Sequence, residues 1–521
     1  MNAWKGWADM ELDLKKACFD TYEVGGDVTL TQEETAETIV PDYCPDIARI
    51  IETEGKVYLH SRELRDGKGE VSGTVRVTVL YTPDGEGGIR TLEFAMPFTA
   101  ESDSRALPEC VCLMAEVEPE TLETRMLNPR KVFTHCKLVI RLTGYRRVSL
   151  SVCPDVEAAP ELRVEKRQER QHVTLLTHIA EKDFTFSEEL DLSPGREGAA
   201  EILTSRVASA VTEMKLVGSK LIFKGVFTVS LLYRTQEGEC RASSGELPFS
   251  QIMEVDGAAE GSAASLRMQL TGADLQIDGG DPEGRQVAVT LYFRAVALLR
   301  QEQELTLLQD LYSTAYELTY EAAPLVLTSF CETMNRRQTV REVLEIGVVA
   351  ESILAMQADC GAVSVSREGS GTTLRTVVTV RALYLDEGGV PLVAERGVEI
   401  ACQLELPPDC GVTARAFCPE EIQGSLGDRG IEVRFPVDFR VEAASQVKKI
   451  CISAAKVDTE KPRDLSGAPS LVLRCLGKQE TPWDLAKRHN TTISAILAAN
   501  QLEAEEELPR DQLLLIPRKR A

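Results

Sequence analysis

The sequence predicts a mainly β protein: three tandem β-sandwich-like domains followed by a small βααβ domain at the C-terminal end. Three observations predict it. The stretches Ile50 to Tyr81, Ile202 to Tyr233 and Ile353 to Tyr384 align without a gap, their closing tyrosines 152 and 151 residues apart. That period is the size of a domain, not of a solenoid turn. Within each copy apolar residues alternate with a period of two, as on a half-buried strand. Beyond Ser470 the pattern changes to two short helices between two apolar strands.

The repeated element carries the alternation most clearly. Val71, Gly73, Val75, Val77, Val79 and Tyr81 share one strand face; Phe223, Gly225, Phe227, Val229, Leu231 and Tyr233 are their counterparts in the second copy. Leu374, Thr376, Val378, Val380, Ala382 and Tyr384 hold the same places in the third. Upstream, Asp66-Gly67, Gly218-Ser219 and Gly369-Ser370 fall in register as hairpin turns, where glycine supplies positive φ. Before each hairpin a short helical pattern is expected at Ile47, Ile50, Ile51; Ala199, Ile202, Leu203; and Ala350, Ile353, Leu354.

After the tyrosines come turns such as Pro83-Asp84-Gly85 and Asp386-Glu387-Gly388-Gly389, then apolar segments at Pro97-Phe98, Pro248-Phe249 and Glu399-Ile400. Each copy closes on a β-branched and aromatic strand: Val132 to Leu142, Val287 to Ala297, Ile431 to Val441. The domains are expected at residues 26–150, 171–300 and 325–452, after an N-terminal segment 1–25. The charged run Glu165 to Arg170 separates the first two. Residues 453–470, with their Pro, Gly, Ser and charge content, read as a linker to a last domain at 471–518.

Composition excludes several classes. A net charge of −24 argues against nucleic acid and anionic lipid as partners. Fourteen cysteines are scattered from Cys18 to Cys475 with no CxxC pair, and His60, His135, His172 and His178 lie at no metal-ligand spacing to a cysteine. No metal or cofactor is expected. The thiols read as reduced, in a cytoplasmic protein. The mixed-charge N-terminus lacks the apolar core of a signal peptide, and no stretch has the length and apolarity of a membrane span.

The C-terminal domain has a recognisable order. Leu471 to Leu473 is the first strand; Thr481 is a candidate N-cap with Pro482 in the first helical position. Trp483, Leu485 and Ala486 give the first helix an apolar side. Asn490-Thr491-Thr492 breaks it, Ile493, Ile496 and Leu497 line the second, Asn500 stops it, and Leu513 to Ile516 forms the closing strand. These residues resemble the LysM module, with Gln479 where that family has Gly and Pro482 where it has Leu. The resemblance implies binding of peptidoglycan or another N-acetylglucosamine polymer between two loops. The residues carried over are Glu480, Thr481 and Pro482 on one side, Asn500, Gln501 and Leu502 on the other.

The repeat itself resembles the SPOCS domain of SipL-type spore proteins. The resemblance lies in Pro45-Asp46-Ile47, the Gly73 to Tyr81 strand and Leu127-Asn128-Pro129-Arg130-Lys131-Val132; the later copies lack the last motif. It implies a role in endospore envelope assembly, in the mother-cell cytosol and at the forespore surface. The implied partner is a SpoIVA-like spore coat morphogenetic ATPase.

Catalytic motifs are not found. Gly67-Lys68-Gly69 through Gly73 lacks the order of a phosphate loop and lies in a hairpin. Cys110 and Cys112 form the one close cysteine pair, more simply structural than redox-active. Two readings stand: a non-enzymatic adaptor docking through its C-terminal module, and a peptidoglycan-associated enzyme or wall-binding protein with an unrecognised active site. Triplication favours the first, because the matched positions are apolar or turn-forming and no polar constellation recurs.

Overall fold

In the computed structural model the described residues are all but 1–8, 86, 104, 193–196, 282, 370, 420, 421, 429, 464–466, 468, 476, 478, 479, 505–512 and 519–521. Each copy opens on an antiparallel sheet built around the alternating strand. Asp66 and Gly67, both at positive φ (50° and 78°), turn strand Ile47–Arg65 into Lys68–Pro83, and Arg90–Glu101 pairs on the other side. Ala199–Val217, Lys220–Thr235 and Cys240–Glu254 repeat this arrangement around Gly218. In the third copy Ala350–Cys360 and Ser364–Glu368 both pair with Gly371–Asp386, and Pro391–Glu405 completes the sheet. Pro97 and Pro248 sit on outer strands, where a missing amide hydrogen costs no ladder bond.

The glycines within the alternating strand answer to a large neighbour. Gly73 is register-paired with Phe98 and Gly225 with Phe249. A Cβ on Gly73 would lie 2.6 Å from the Phe98 ring and 2.5 Å from the Tyr58 carbonyl oxygen. In the third copy the partner is the smaller Ile400, and Thr376 replaces the glycine.

The helical pattern expected before each hairpin is strand instead. Successive register shifts lie between Ile47 and Arg49 and between Ile50 and Glu52. The same two bulges recur at Ala350/Ser352 and Ile353/Ala355, and at Ala199/Glu201 and Ile202/Thr204 in the second copy. Each bulge inserts one unpaired residue. Two bulges three residues apart turn a period of two into a period of three, which imitates a helix face.

The closing strands are parts of much longer ones. Lys131–Glu157 pairs with Asp13–Ile39 and Cys112–Asn128; Gln286–Ser313 with Val164–Asp191 and Ala263–Ile277. Gly430–Pro462 pairs with Tyr316–Leu344, Cys410–Phe417 and Gln423–Gly427. Among the described residues, six of the seven sheets thus line three separate cores, two sheets to each.

Beyond those cores the long strands continue into a shared one. Val152, Val156, Val173, Leu307, Leu311, Leu327, Ile452 and Val457 pack together there. Residues expected to be an N-terminal segment, a separator and a linker therefore lie in strands: Asp13–Ile39, the Glu165–Arg170 run, and the chain to Pro462. Alternation along these strands hides one apolar face, and the charges of 165–170 occupy the other or the edges. The short strand Asp9–Glu11 pairs with Lys456–Asp458, so the first and last repeats are joined.

The three copies also meet through equivalent residues. Leu80, Leu232 and Leu383 form one apolar cluster with Leu203 and Leu354, and the bulge residue Ile51 packs against it. Beside it Arg206 donates to Glu54 (2.7 Å), Gln357 (2.7 Å) and Asp359 (3.1 Å). Glu54, Arg206 and Gln357 occupy the same repeat position. A second charged junction joins Glu116, Arg267 and Arg415 of the three copies, with Glu442 accepting from Arg267 and Arg300 at 3.4 Å.

Candidate functional site

The C-terminal unit forms as its sequence dictates. Strands Leu471–Arg474 and Leu514–Pro517 pair antiparallel around helices α1 (Pro482–Arg488) and α2 (Ile493–Ala499). Thr481 caps α1 reciprocally: its Oγ1 accepts from the Asp484 amide (3.2 Å), and the Asp484 carboxylate accepts from the Thr481 amide (3.0 Å). That box keeps the Asp484 carboxyl below its usual range, the Thr481 hydroxyl contributing most. Asn490 takes a left-handed φ of 54° between the helices. Trp483, Leu485, Ala486, Ile496, Leu514 and Ile516 make the core.

The six residues carried over from the resemblance fall into two groups, with unequal freedom. Glu480 is pinned by Arg474 (3.4 Å) and Arg488, its side chain 9% exposed. Thr481 is the cap and Pro482 the first helical residue. At the far end, the Asn500 amide donates to the carbonyls of Ile496 (2.7 Å) and Leu515 (2.8 Å) and accepts from the Leu515 amide (2.8 Å). Leu502 packs against the core. Gln501, at φ 56°, is the exposed member. Gln479 and residues 505–512 lie outside the described residues.

Sequence reasoning missed the dock that seats this unit. Asp310, on strand Gln286–Ser313, accepts from Trp483 Nε1 (2.8 Å) and Lys487 Nζ (2.5 Å). Tyr312 donates to the Thr491 carbonyl (2.7 Å) and packs edge-on against Trp483, centroids 4.9 Å apart. Lys487 also lies over the Tyr320 ring at 5.3 Å. Burial pushes the Asp310 carboxyl up, but bonds from Lys487 and Trp483 outweigh it and hold it below the usual range. An open crevice beside the dock is lined by Asp310, Glu480, Asp484, Lys487 and Arg488. Asp310 and Tyr312 lie outside every expected domain, and no local signal marks them.

The Leu127-to-Val132 motif likewise proves to be a clamp. Arg130 donates to the carbonyls of Cys44 (2.7 Å), Val40 (2.9 Å) and Pro41 (3.0 Å) and to the carboxylates of Asp46 (3.0 Å) and Asp42 (3.2 Å). One guanidinium thus fixes the whole loop into the hairpin sheet. The chain is similar to the SipL, SPOCS domain family. Residues 46–140 and 198–278 match that family's sequence model. The first SPOCS match runs from Asp46, a partner of Arg130, into the long strand of the second sheet. The second covers the corresponding hairpin sheet and strand Ala263–Ile277. No curated protein matches the chain.

Chemically, the described residues offer half-buried ion pairs between the copies. No group of three or more His, Cys, Asp or Glu residues among them is arranged to hold a metal ion. No helix among them is long and apolar enough to cross a membrane. Cys110 and Cys112 do not face each other: the Cys110 sulfur lies where side chains on Gly25 or Gly144 would stand, and Cys112 donates to Glu181 at 3.7 Å. Burial, then Glu181, pushes the Cys112 thiol up to about 11, away from the range of a reactive thiolate.

Proposed function

We propose that this protein is a non-enzymatic scaffold of endospore envelope assembly. The repeats serve as a rigid body of three β-sandwich-like domains, and the C-terminal unit serves as a LysM-like docking module. One observation carries the reading: SPOCS-matching stretches and a βααβ unit occur in one chain, joined by a built interface. The module's partner is a SpoIVA-like coat ATPase or peptidoglycan, met at the forespore surface from the mother-cell side. Half-buried pairs such as Arg206–Glu54 suit a scaffold, since they fix how the copies pack.

The test is a paired binding measurement on the full chain. One arm uses peptidoglycan and chitin oligomers, the other the coat ATPase. Thr481 and Asn500 hold the fold, so Gln501→Gly is the informative variant: glycine keeps the left-handed backbone and removes the exposed side chain. A tenfold loss in one arm assigns the groove to that ligand. Binding of neither ligand by the unaltered chain overturns the docking role.

A further inference from the structure

Two thiols of the third copy meet across its two sheets. Cys360 is the last residue of strand Ala350–Cys360, and Cys418 follows strand Cys410–Phe417 in the facing sheet. Their sulfurs are 3.6 Å apart, hydrogen-bonded but not covalently joined, and both side chains pack against the third core. The second copy has Ser209 and the first Val57 where the third has Cys360, so the pair is peculiar to this copy. Each cysteine stands where a strand gives way to irregular chain, so the sulfurs can close to bonding distance without breaking a ladder. Buried Cys153 and Cys451 differ: there the Cys451 sulfur is engaged with the Cys153 backbone.

We propose that Cys360 and Cys418 form a thiol–disulfide modification site, converted to a cross-link by a low-molecular-weight disulfide such as glutathione disulfide. The Cys418 thiolate attacks one sulfur of the reagent and releases one glutathione thiolate, leaving a mixed disulfide. Cys360 gives its proton to solvent and attacks the Cys418 sulfur; the new bond forms and the second glutathione leaves. Two protein thiols are oxidised and one disulfide is reduced to two thiols. Cys360 is the resolving partner because its hydrogen bond to Cys418, then burial, keeps it protonated. The cross-link closes a span of 58 residues and ties the two sheets together, which restricts the unfolded chain.

The experiment treats the native full chain with excess glutathione disulfide, followed by tryptic mapping without reduction. Cleavage after Arg341, Arg367, Arg415 and Arg429 leaves Cys360 and Cys418 each as the sole cysteine of its peptide. The expected result is one linked pair of these two peptides, lighter by two hydrogens, with a melting midpoint several degrees higher. Cys360→Ser removes both effects. The proposal is overturned if Cys18 and Cys475, both exposed, become glutathionylated while Cys360 and Cys418 stay unlinked. It is equally overturned if the link forms only in chain unfolded by guanidinium.

Discussion

Gly73 shows what a single position can demand. Its backbone needs no positive φ; space is what it lacks, because the Phe98 ring and the Tyr58 carbonyl oxygen fill the room a side chain would take. Gly73→Ala is expected to destabilise the first copy by about 2–4 kcal/mol through overpacking. Phe98→Leu in the same chain should recover part of that loss, read from denaturant midpoints, since the Thr376–Ile400 pair is the same solution at smaller size. His489 makes a second residue-scale case. Its Nδ1 accepts from Arg518 at 3.1 Å. Burial, then the charges of Arg518, Arg474 and Arg488, push its pKa below 6.5, with Glu480 opposing. The unfolded chain therefore takes up this proton first as pH falls. The stabilisation is complete above 6.5 and is lost as pH drops through the folded value. Trp483 fluorescence during urea unfolding should show the C-terminal unit weaker at pH 5 than at pH 7.5, and His489→Asn should flatten that difference.

At the scale of elements, the dock decides whether the C-terminal unit is a tethered bead or a fixed part. Trp483 is 7% exposed and Tyr312 2%, so the aromatic contact is closed to water. Removing the acceptor leaves the indole N–H and the Lys487 ammonium without it. Asp310→Ala should cost the interface about 2–4 kcal/mol. In a chain with Trp4 and Trp7 changed to Phe, Trp483 emission should shift to the red. Protease cleavage between Arg463 and Ser470 should quicken. Unchanged emission and cleavage would show that the unit is held by something else. The helix elements here were legible residue by residue, because Thr481, Pro482 and Asn500 act on their own turns. The strand before each hairpin was not, because its bulges are defined by a partner strand some thirty residues away.

The whole molecule is held by contacts among corresponding positions of its copies. Divergence at those positions makes the contacts work: three copies of Glu54 would repel, whereas Arg206 donates to both Glu54 and Gln357. Close by, Glu52 is less well served. Its Oε1 is buried without a hydrogen-bond partner, and burial, then Glu54, raises its carboxyl to about 7, with Asp359 adding and Arg381 and Arg206 opposing. Between the ordinary glutamate value of 4.5 and about 7 the folded chain holds a proton that the unfolded chain has released. Stability from this group therefore falls as pH rises through that window. Glu52→Gln should leave stability unchanged near pH 4 and raise it by about 1–3 kcal/mol at pH 8. Equal effects at both values would place the cause in packing instead of charge.

Local pattern accounts for the near and the repeated features: period-two strands, the 152- and 151-residue spacing, hairpin turns at Gly67 and Gly218, and the capped helices of the C-terminal unit. Each follows from neighbours within one turn or one hairpin, or from comparing one copy with the next. Tertiary structure alone decided where strands ended, because Val152, Leu311 and Val457 are buried only in a cluster that strands of all three copies build together. It also decided which charges are solvated and which are bonded across copies, and it seated the C-terminal unit on Asp310. Those outcomes depend on residues brought together from more than a hundred positions apart. Local periodicity has no term for such a distance; burial and charge pairing between the copies do.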